Sequence, residues 1–307
     1  MRGTRLGPRQ MWQCCPWILG SVTSSGQWPC KARLPSFCGP WPTERAISNQ
    51  VRKTITSDQL HAVDQEAVSR FVGARREAGD SCYFRPHVPG ISKLLLVHQT
   101  QHQRYIMALY GQTIVGMDAT YKTNQHGYPF FLVSVVTNHG QSYPVAMAVV
   151  EDEAGETVAE ALQQLQLLNP SWQPQYIMMD KSDAEVNAVY DVFPNATPLL
   201  CDFHRLQAWW RWINKTDNGV PAGRKKAVYG WLQQLAKATT RADFHKQWER
   251  FTARDEYHSN SKLQRYLEAE WMNCKELWAV YHRVDFHGGI NTNNNVESIN
   301  RVIKDKW

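Results

Sequence analysis

Residues 128–137 (YPFFLVSVVT) restrict the fold more than any other stretch of the chain. β-Branched and aromatic side chains fill this run without polar alternation, which suits a strand at the centre of a sheet. Strand-like runs flank it on both sides, residues 113–121 (TIVGMDATY) and residues 142–150 (SYPVAMAVV). The connection Asn138-His139-Gly140-Gln141 is short enough for a tight turn. Three strands in succession with short loops imply an antiparallel meander.

After the third strand the pattern alternates. Residues 156–168 place Val158, Ala161, Leu162, Leu165 and Leu168 on one helical face, and Asn169-Pro170 stops the run. Residues 176–179 read as a short strand. Ser182-x-x-Glu185 has the spacing of a capping box and opens a helix that ends before Pro194. Residues 197–201 form another strand and residues 203–213 another helix. The order β-β-β-α-β-α-β-α, antiparallel first and with right-handed crossovers after, is the ribonuclease H-like arrangement. The expected fold class is therefore α/β, a ribonuclease H-like mixed sheet of three antiparallel strands followed by two parallel ones, flanked by helices.

Around this core, at residues 111–215, the remaining segments divide by texture. Residues 1–50 are rich in Trp, Pro, Gly, Ser and Cys without periodicity, and read as a disordered leader. Residues 51–110 read as a helical N-terminal region, with one helix from about Ser57 to Gly73 and a second over residues 91–109 through Leu94, Leu95, Val97 and Ile106. Residues 216–285 are expected to be an all-helical insertion, with apolar spacing at Val228, Trp231, Leu232 and Leu235, at Phe244, Trp248 and Phe251, and at Leu263, Tyr266 and Leu267. Residues 286–307 would supply the last helix of the core. The chain stops inside that helix, as a truncated chain would.

Charge adds little by itself. The net charge is +6, but residues 1–50 hold six of the basic residues and a single acid, Glu44, which leaves 28 basic and 27 acidic side chains for the rest. A nucleic-acid surface on the core must then be a local patch. No uncharged apolar run approaches the ~18 residues that span a bilayer, so no membrane association is expected. Residues 11–20 make a poor signal peptide, interrupted by Gln13 and Pro16. Seven scattered cysteines do not form a disulfide framework, which points to a reducing, intracellular setting.

Three acids carry the chemistry. Asp118 sits in mid-strand beside Ile114, Val115 and Met117, where an ionised carboxylate is costly without a counter-charge. The ordinary alternative is an Asp tied into a turn by Thr120 or Asn124. Asp180 ends the apolar strand at residues 176–179, on the carboxyl edge where α/β sheets collect ligand sites; its alternative is a turn-forming Asp ahead of Ser182. Neighbouring Asp183 reads as first-turn charge complementing the helix dipole. Glu297 taken alone reads first as the acid of a capping box, Asn294-x-x-Glu297, and only the company of the other two acids favours a ligand. Carboxylates on a strand, a strand edge and a helix start can converge on two Mg²⁺ or Mn²⁺ ions roughly 3.5–4 Å apart. Such a site needs no organic cofactor and no protein nucleophile, because positioning and charge stabilisation supply the catalysis.

Four blocks, MDATYKTN (117–124), MMDKSDAE (178–185), CDFH (201–204) and NTNNNVESINRVIK (291–304), resemble the signature segments of the Mutator-like element transposases, in the family's order. Asp180 follows Asp118 by 62 residues, and Glu297 follows Asp180 by 117, with the helical insertion between. The resemblance covers residues 90–307. It implies a DDE-type polynucleotidyl transferase acting on DNA, both transposon ends and target, in the nucleus. It maps the catalytic and metal-binding triad onto Asp118, Asp180 and Glu297, and allows a homo-oligomer. Relatives often add a zinc-chelating DNA-binding domain before the core and a SWIM-type zinc finger after it, and neither is recognisable here.

Cys201 and His204 correspond to the family's Cys-x-x-His pair. They read either as a buried thiol with a helix-start His or as supporting groups of the active site, His204 contacting phosphate or orienting a metal ligand. Structural zinc would need two further ligands at suitable spacing, which are not evident. Arg224, Lys225 and Lys226 form a basic triplet that could bind DNA phosphates or simply be solvated. Trp209-Trp210-Arg211-Trp212 mixes aromatic and basic residues like a base-stacking surface, but helical spacing with Leu206 and Ile213 makes Trp209 and Trp210 core. No P-loop, G-x-S-x-G, HExxH or dinucleotide fingerprint occurs.

Three functions fit these features. The first is a transposase, or transposase-derived nuclease, that cuts and joins DNA. The second is a domesticated DNA-binding or regulatory protein that keeps the fold without catalysis, which an intact triad disfavours. The third is a ribonuclease H-like enzyme acting on RNA or repair intermediates, an analogy of fold only.

Overall fold

The computed structural model describes residues 64–283 apart from Lys122 and Gln125. The leader at residues 1–50, the helix of residues 286–307 and Glu297 lie outside the described residues.

Seven strands form one mixed sheet: β1 (Ser81–Arg85), β2 (Leu95–Gln99), β3 (Ile114–Thr120), β4 (Phe130–Val136), β5 (Ser142–Val150), β6 (Tyr176–Met179) and β7 (Thr197–Leu200). Their spatial order is β1-β2-β5-β4-β3-β6-β7. Pairing is antiparallel from β1 through to β3 and parallel from β3 to β7. The long apolar run of residues 128–137 contains β4, buried along most of its length between β3 and β5. Pro144 in β5 cannot donate to a ladder, and the register shifts opposite it, between Val133 and Ser134.

Helices α1 (Asp64–Glu77), α2 (Gln101–Tyr110), α3 (Gly155–Leu168), α4 (Asp183–Val192) and α5 (Asp202–Asn214) accompany the sheet. The apolar stripe of α3, with Val158, Leu162 and Leu165, joins Met117, Phe131, Val133, Ile177 and Met179 in the main buried cluster. Residues of opposite strand parity, Ile114, Met178, Leu199 and Cys201, form a smaller cluster. The gap between those two clusters is the sheet itself.

Two expectations are corrected here. Residues 91–109 are not one helix: Leu95–Gln99 is strand β2, paired with β1 and β5, and only from Gln101 does a helix begin. Thr100 resets the chain, its hydroxyl accepting from the Gln103 amide while the Gln103 side chain accepts from the Thr100 amide. Strand β1 likewise lies in the region read as helical. The described part of the first helix runs past Gly73 to Glu77 and is closed by Gly79, whose φ of 89° suits a residue without Cβ.

Residues 221–283 hold α6 (Lys225–Ala236), α7 (Arg241–Thr252), α8 (Asp255–His258), α9 (Ser261–Glu270) and short 3₁₀ turns. Val228, Leu232, Phe244, Leu263 and Leu267 belong to the same contiguous buried cluster as the sheet, so this helical unit and the sheet share a core. Trp209 of α5 is fully buried against Trp271 and Trp278, with ring centroids 5.4 and 5.6 Å away. Arg283 reaches back to the sheet, donating to the Leu200 carbonyl at 2.6 Å and the Leu277 carbonyl at 2.9 Å.

Candidate metal centre

Strand register brings the first two acids together. The parallel β3–β6 ladder sets Gly116 opposite Met178, and Asp118 and Asp180 each lie two residues farther along. They therefore reach the same level and the same face at the carboxyl edge. Pairing of Met179 with Leu200 brings Cys201 level with Asp180, and α5 starts at the next residue. His204 falls in the first turn of that helix.

The result is a compact donor group. Asp118, Asp180 and His204 each offer a ligand atom, and these atoms lie within 4.8 Å of one another. Nδ1 of His204 contacts Oδ1 of Asp180. Exposure grades across the group, from 6% for Asp118 to 38% for the Asp180 side chain. The site is closed on the β3 side and open to solvent on the β6 side. Burial first, and Arg211 second, pull the His204 imidazole down to about 4, so it is neutral at physiological pH. A neutral ring can ligate a metal through one nitrogen while the other donates a hydrogen bond.

The loop after β6 is held tightly. The Ser182 amide donates to the Asp180 carbonyl at 3.0 Å, and the Ser182 hydroxyl accepts from the Glu185 amide at 3.3 Å. Lys181 extends away to Glu270 of α9 at 2.8 Å, tying the helical unit to the segment that carries Asp180.

Half of the expected capping box is missing. The Ser182 hydroxyl caps α4, but the Ser182 amide is taken by Asp180 rather than by the Glu185 carboxylate. Glu185 is instead 5% exposed, and burial, with Glu153 and Asp118 nearby, pushes its carboxyl up to about 8. Sequence reasoning assigned Glu185 to the cap and missed this acid. Glu153, just before α3, is also raised by burial and accepts from the Tyr121 hydroxyl.

The other candidates separate from the acids. Cys201 is 1% exposed and packs with Ile114, Met178 and Leu199; it is not among the clustered donor atoms. Arg224 pairs with Glu256, and Lys225 donates to the Asn214 carbonyl at 3.0 Å, while Lys226 is exposed. Trp209 is core as expected. Trp210 is not: it is 40% exposed, its ring edge-on to Tyr229 at 5.1 Å. Trp212 stacks on Tyr266 at 4.4 Å.

Residues 114–208 match the family model of the MULE transposase domain. This segment is similar to MULE transposase domains. The match begins at the first residue of β3 and ends within α5, so it encloses Asp118, Asp180, Glu185 and His204. Among curated proteins, the chain is 24% identical over 216 residues to a PKS-NRPS hybrid synthetase, cheA, of Chaetomium globosum. That alignment takes in 61% of this chain but spans only 4% of the relative's length. No helix among the described residues is long and apolar enough to cross a membrane.

Proposed function

We propose that this chain is the catalytic core of a Mutator-like DNA transposase, built on a ribonuclease H-like fold, that cleaves and joins DNA strands through Asp118, Asp180 and Glu297. The observation that carries the reading is the convergence of Asp118, Asp180 and His204 at the carboxyl edge of the sheet. The order of elements from β3 to α5, three antiparallel strands and then two βα units, supports the fold assignment.

The donors fit a hard divalent cation. Two carboxylates, one of them buried, suit Mg²⁺ or Mn²⁺, and an imidazole is tolerated better by Mn²⁺. Asp118 and Asp180 would hold the ions, with Glu297 completing the set and His204 orienting the Asp180 carboxylate. Bound there, divalent cations stabilise charge on a phosphate under attack and lower the pKa of the attacking hydroxyl. Asp118 supplies fixed negative charge inside the sheet edge, whereas the exposed side of Asp180 leaves the phosphodiester room to approach. In cleavage, water forms a bond to phosphorus as the P–O3′ bond breaks, leaving a 5′-phosphate and a 3′-hydroxyl; in strand transfer that hydroxyl attacks a target phosphodiester, whose own 3′-oxygen leaves as a hydroxyl. DNA, the nucleus and a homo-oligomer are the partner, compartment and assembly of this reading. Arg224, Lys225 and Lys226 are its phosphate contacts, with Lys226 exposed and Arg224 paired with Glu256.

The test is cleavage of supercoiled and terminal-repeat DNA with Mg²⁺ or Mn²⁺. Wild-type activity that is lost in Asp118→Asn, Asp180→Asn and Glu297→Gln supports the proposal. Metal-independent DNA binding without cleavage would favour the domesticated regulator. Preference for RNA would favour the third function.

A further inference from the structure

The chain concentrates its positive charge in one stretch. From Phe203 in α5 to Lys237 after α6 there are seven Lys and Arg side chains and a single acid, Asp217, a net of +6. Residues 51–307 together carry 28 basic and 27 acidic side chains, a net of +1, so the rest of that range is net −5. Charge segregated in this way attracts a polyanion. Some of these cations are already engaged. Arg205 is buried against Asp202, Arg224 pairs with Glu256, and Lys225 donates to the Asn214 carbonyl. Arg211, Lys215 and Lys226 are exposed, and among the described residues they enter no ion pair.

An exposed aromatic ring adjoins them. Trp210 is 40% exposed and is held edge-on by Tyr229 of α6, with ring centroids 5.1 Å apart. The contact is fastened beside the ring. The Asn214 side chain donates to the Trp210 carbonyl at 2.8 Å, and the Asn214 carbonyl accepts from Lys225 at 3.0 Å. Lys226 lies three residues before Tyr229, one turn along the same side of α6.

Helix geometry ties this patch to the metal centre. His204 and Arg211 are seven residues apart in α5, which gives them nearly the same azimuth and sets them about 10.5 Å apart along the axis. Nucleotides in a duplex strand rise about 3.4 Å each, so Arg211 stands about three nucleotides from His204. Cations alone would suit any phosphate backbone. A fixed, exposed indole suits something narrower, because an unpaired base offers it a free π-face.

We propose that Trp210, with Arg211 and Lys226 beside it, is a stacking platform for an unpaired DNA nucleotide beside the cation centre. The base lies on the indole, and the adjoining phosphates lie against the two cations. The inference rests on the reading of DNA as substrate and of Asp118, Asp180 and His204 as the cation centre, and adds how the strand is held there.

Fluorescence anisotropy of the full chain in EDTA tests the platform without cleavage, using a dye-labelled single strand and the blunt duplex of the same sequence. Trp210→Ala is expected to weaken single-strand binding about tenfold or more and to leave duplex affinity within about twofold. Trp210→Phe, which keeps a π-face, should retain most of the single-strand affinity. Arg211→Gln should weaken both and lower the salt slope by about one. Wild-type single-strand affinity in Trp210→Ala overturns the platform, and so does an equal loss on the duplex. If that variant also cleaves DNA like wild type, the transposase reading stands without the platform. If wild-type protein binds neither DNA, both fall together. Should Trp210→Ala fail to fold, Trp210→Leu carries the test by the same two criteria.

Discussion

Gly116 of β3 pairs with Met178 of β6 in a parallel ladder, and this register alone brings Asp118 and Asp180 level. Both acids share the parity of their paired residues, so both project from the same face. A shift of one residue would send one carboxylate to the opposite face. The centre is thus a consequence of strand pairing, and its disruption has separable effects on metal, stability and pH.

His204 and Cys201 should behave differently although they share a motif. His204 contacts Asp180, whereas Cys201 packs among Ile114, Met178 and Leu199. His204→Gln is expected to weaken Mn²⁺ binding by about tenfold. Cys201→Ala should leave affinity within about twofold and lower stability by roughly 1 kcal/mol through lost packing. Calorimetric titration of both variants checks the split; equal losses of affinity would contradict it.

Glu185 should give the metal-free protein an unusual pH dependence. Its folded-state carboxyl titrates at about 8, against 4.5 in the absence of structure. The folded state therefore holds a proton that the unfolded state has released, and stability falls as pH rises through this window. His204, lowered to about 4, works in the opposite direction between about 4 and 6.5, where stability rises with pH. Of these two groups, Glu185 is the one that acts from pH 6.5 to 8. Urea unfolding in EDTA should show stability falling by about 1.5–2 kcal/mol across that interval, and Glu185→Gln should flatten the slope. A flat wild-type profile would contradict this assignment.

The tryptophans of α5 offer a stability test. Trp209→Ala removes a fully buried ring packed on Trp271 and Trp278 and should cost about 3–5 kcal/mol. Trp210→Ala removes a half-exposed ring and should cost far less, roughly 1 kcal/mol. Chemical denaturation measures both, and similar losses would overturn the distinction between core and surface.

Legibility in the sequence tracked the strength of the local pattern. Strands β3 to β7 and helices α3 to α5 were readable because the β4 run is apolar nearly throughout and Asn169-Pro170, Ser182 and Pro194 punctuate the later elements. Strand β2 was not. Leu94, Leu95, Val97 and Ile106 satisfy helical spacing, and pairing with β1 and β5, Leu95 opposite Arg85 and Val150, decides otherwise. Asp118 stood out as an acid in the middle of an apolar strand, and Asp180 as one at the end of an apolar run. Glu185 stayed hidden because Ser182-x-x-Glu185 spells a capping box whether or not the carboxylate turns back to the cap. Its burial is a product of tertiary packing, and the negative charges that act on it, Glu153 and Asp118, come from other parts of the chain.

Anomalous diffraction from crystals of the wild-type chain soaked in Mn²⁺ tests the cation centre most directly. The expected result is a peak bonded to carboxylate oxygens of Asp118 and Asp180 at about 2.1–2.2 Å, absent from Asp118→Asn crystals under the same soak. A peak elsewhere, or none at a concentration that supports cleavage, would contradict the assignment of these two acids to metal.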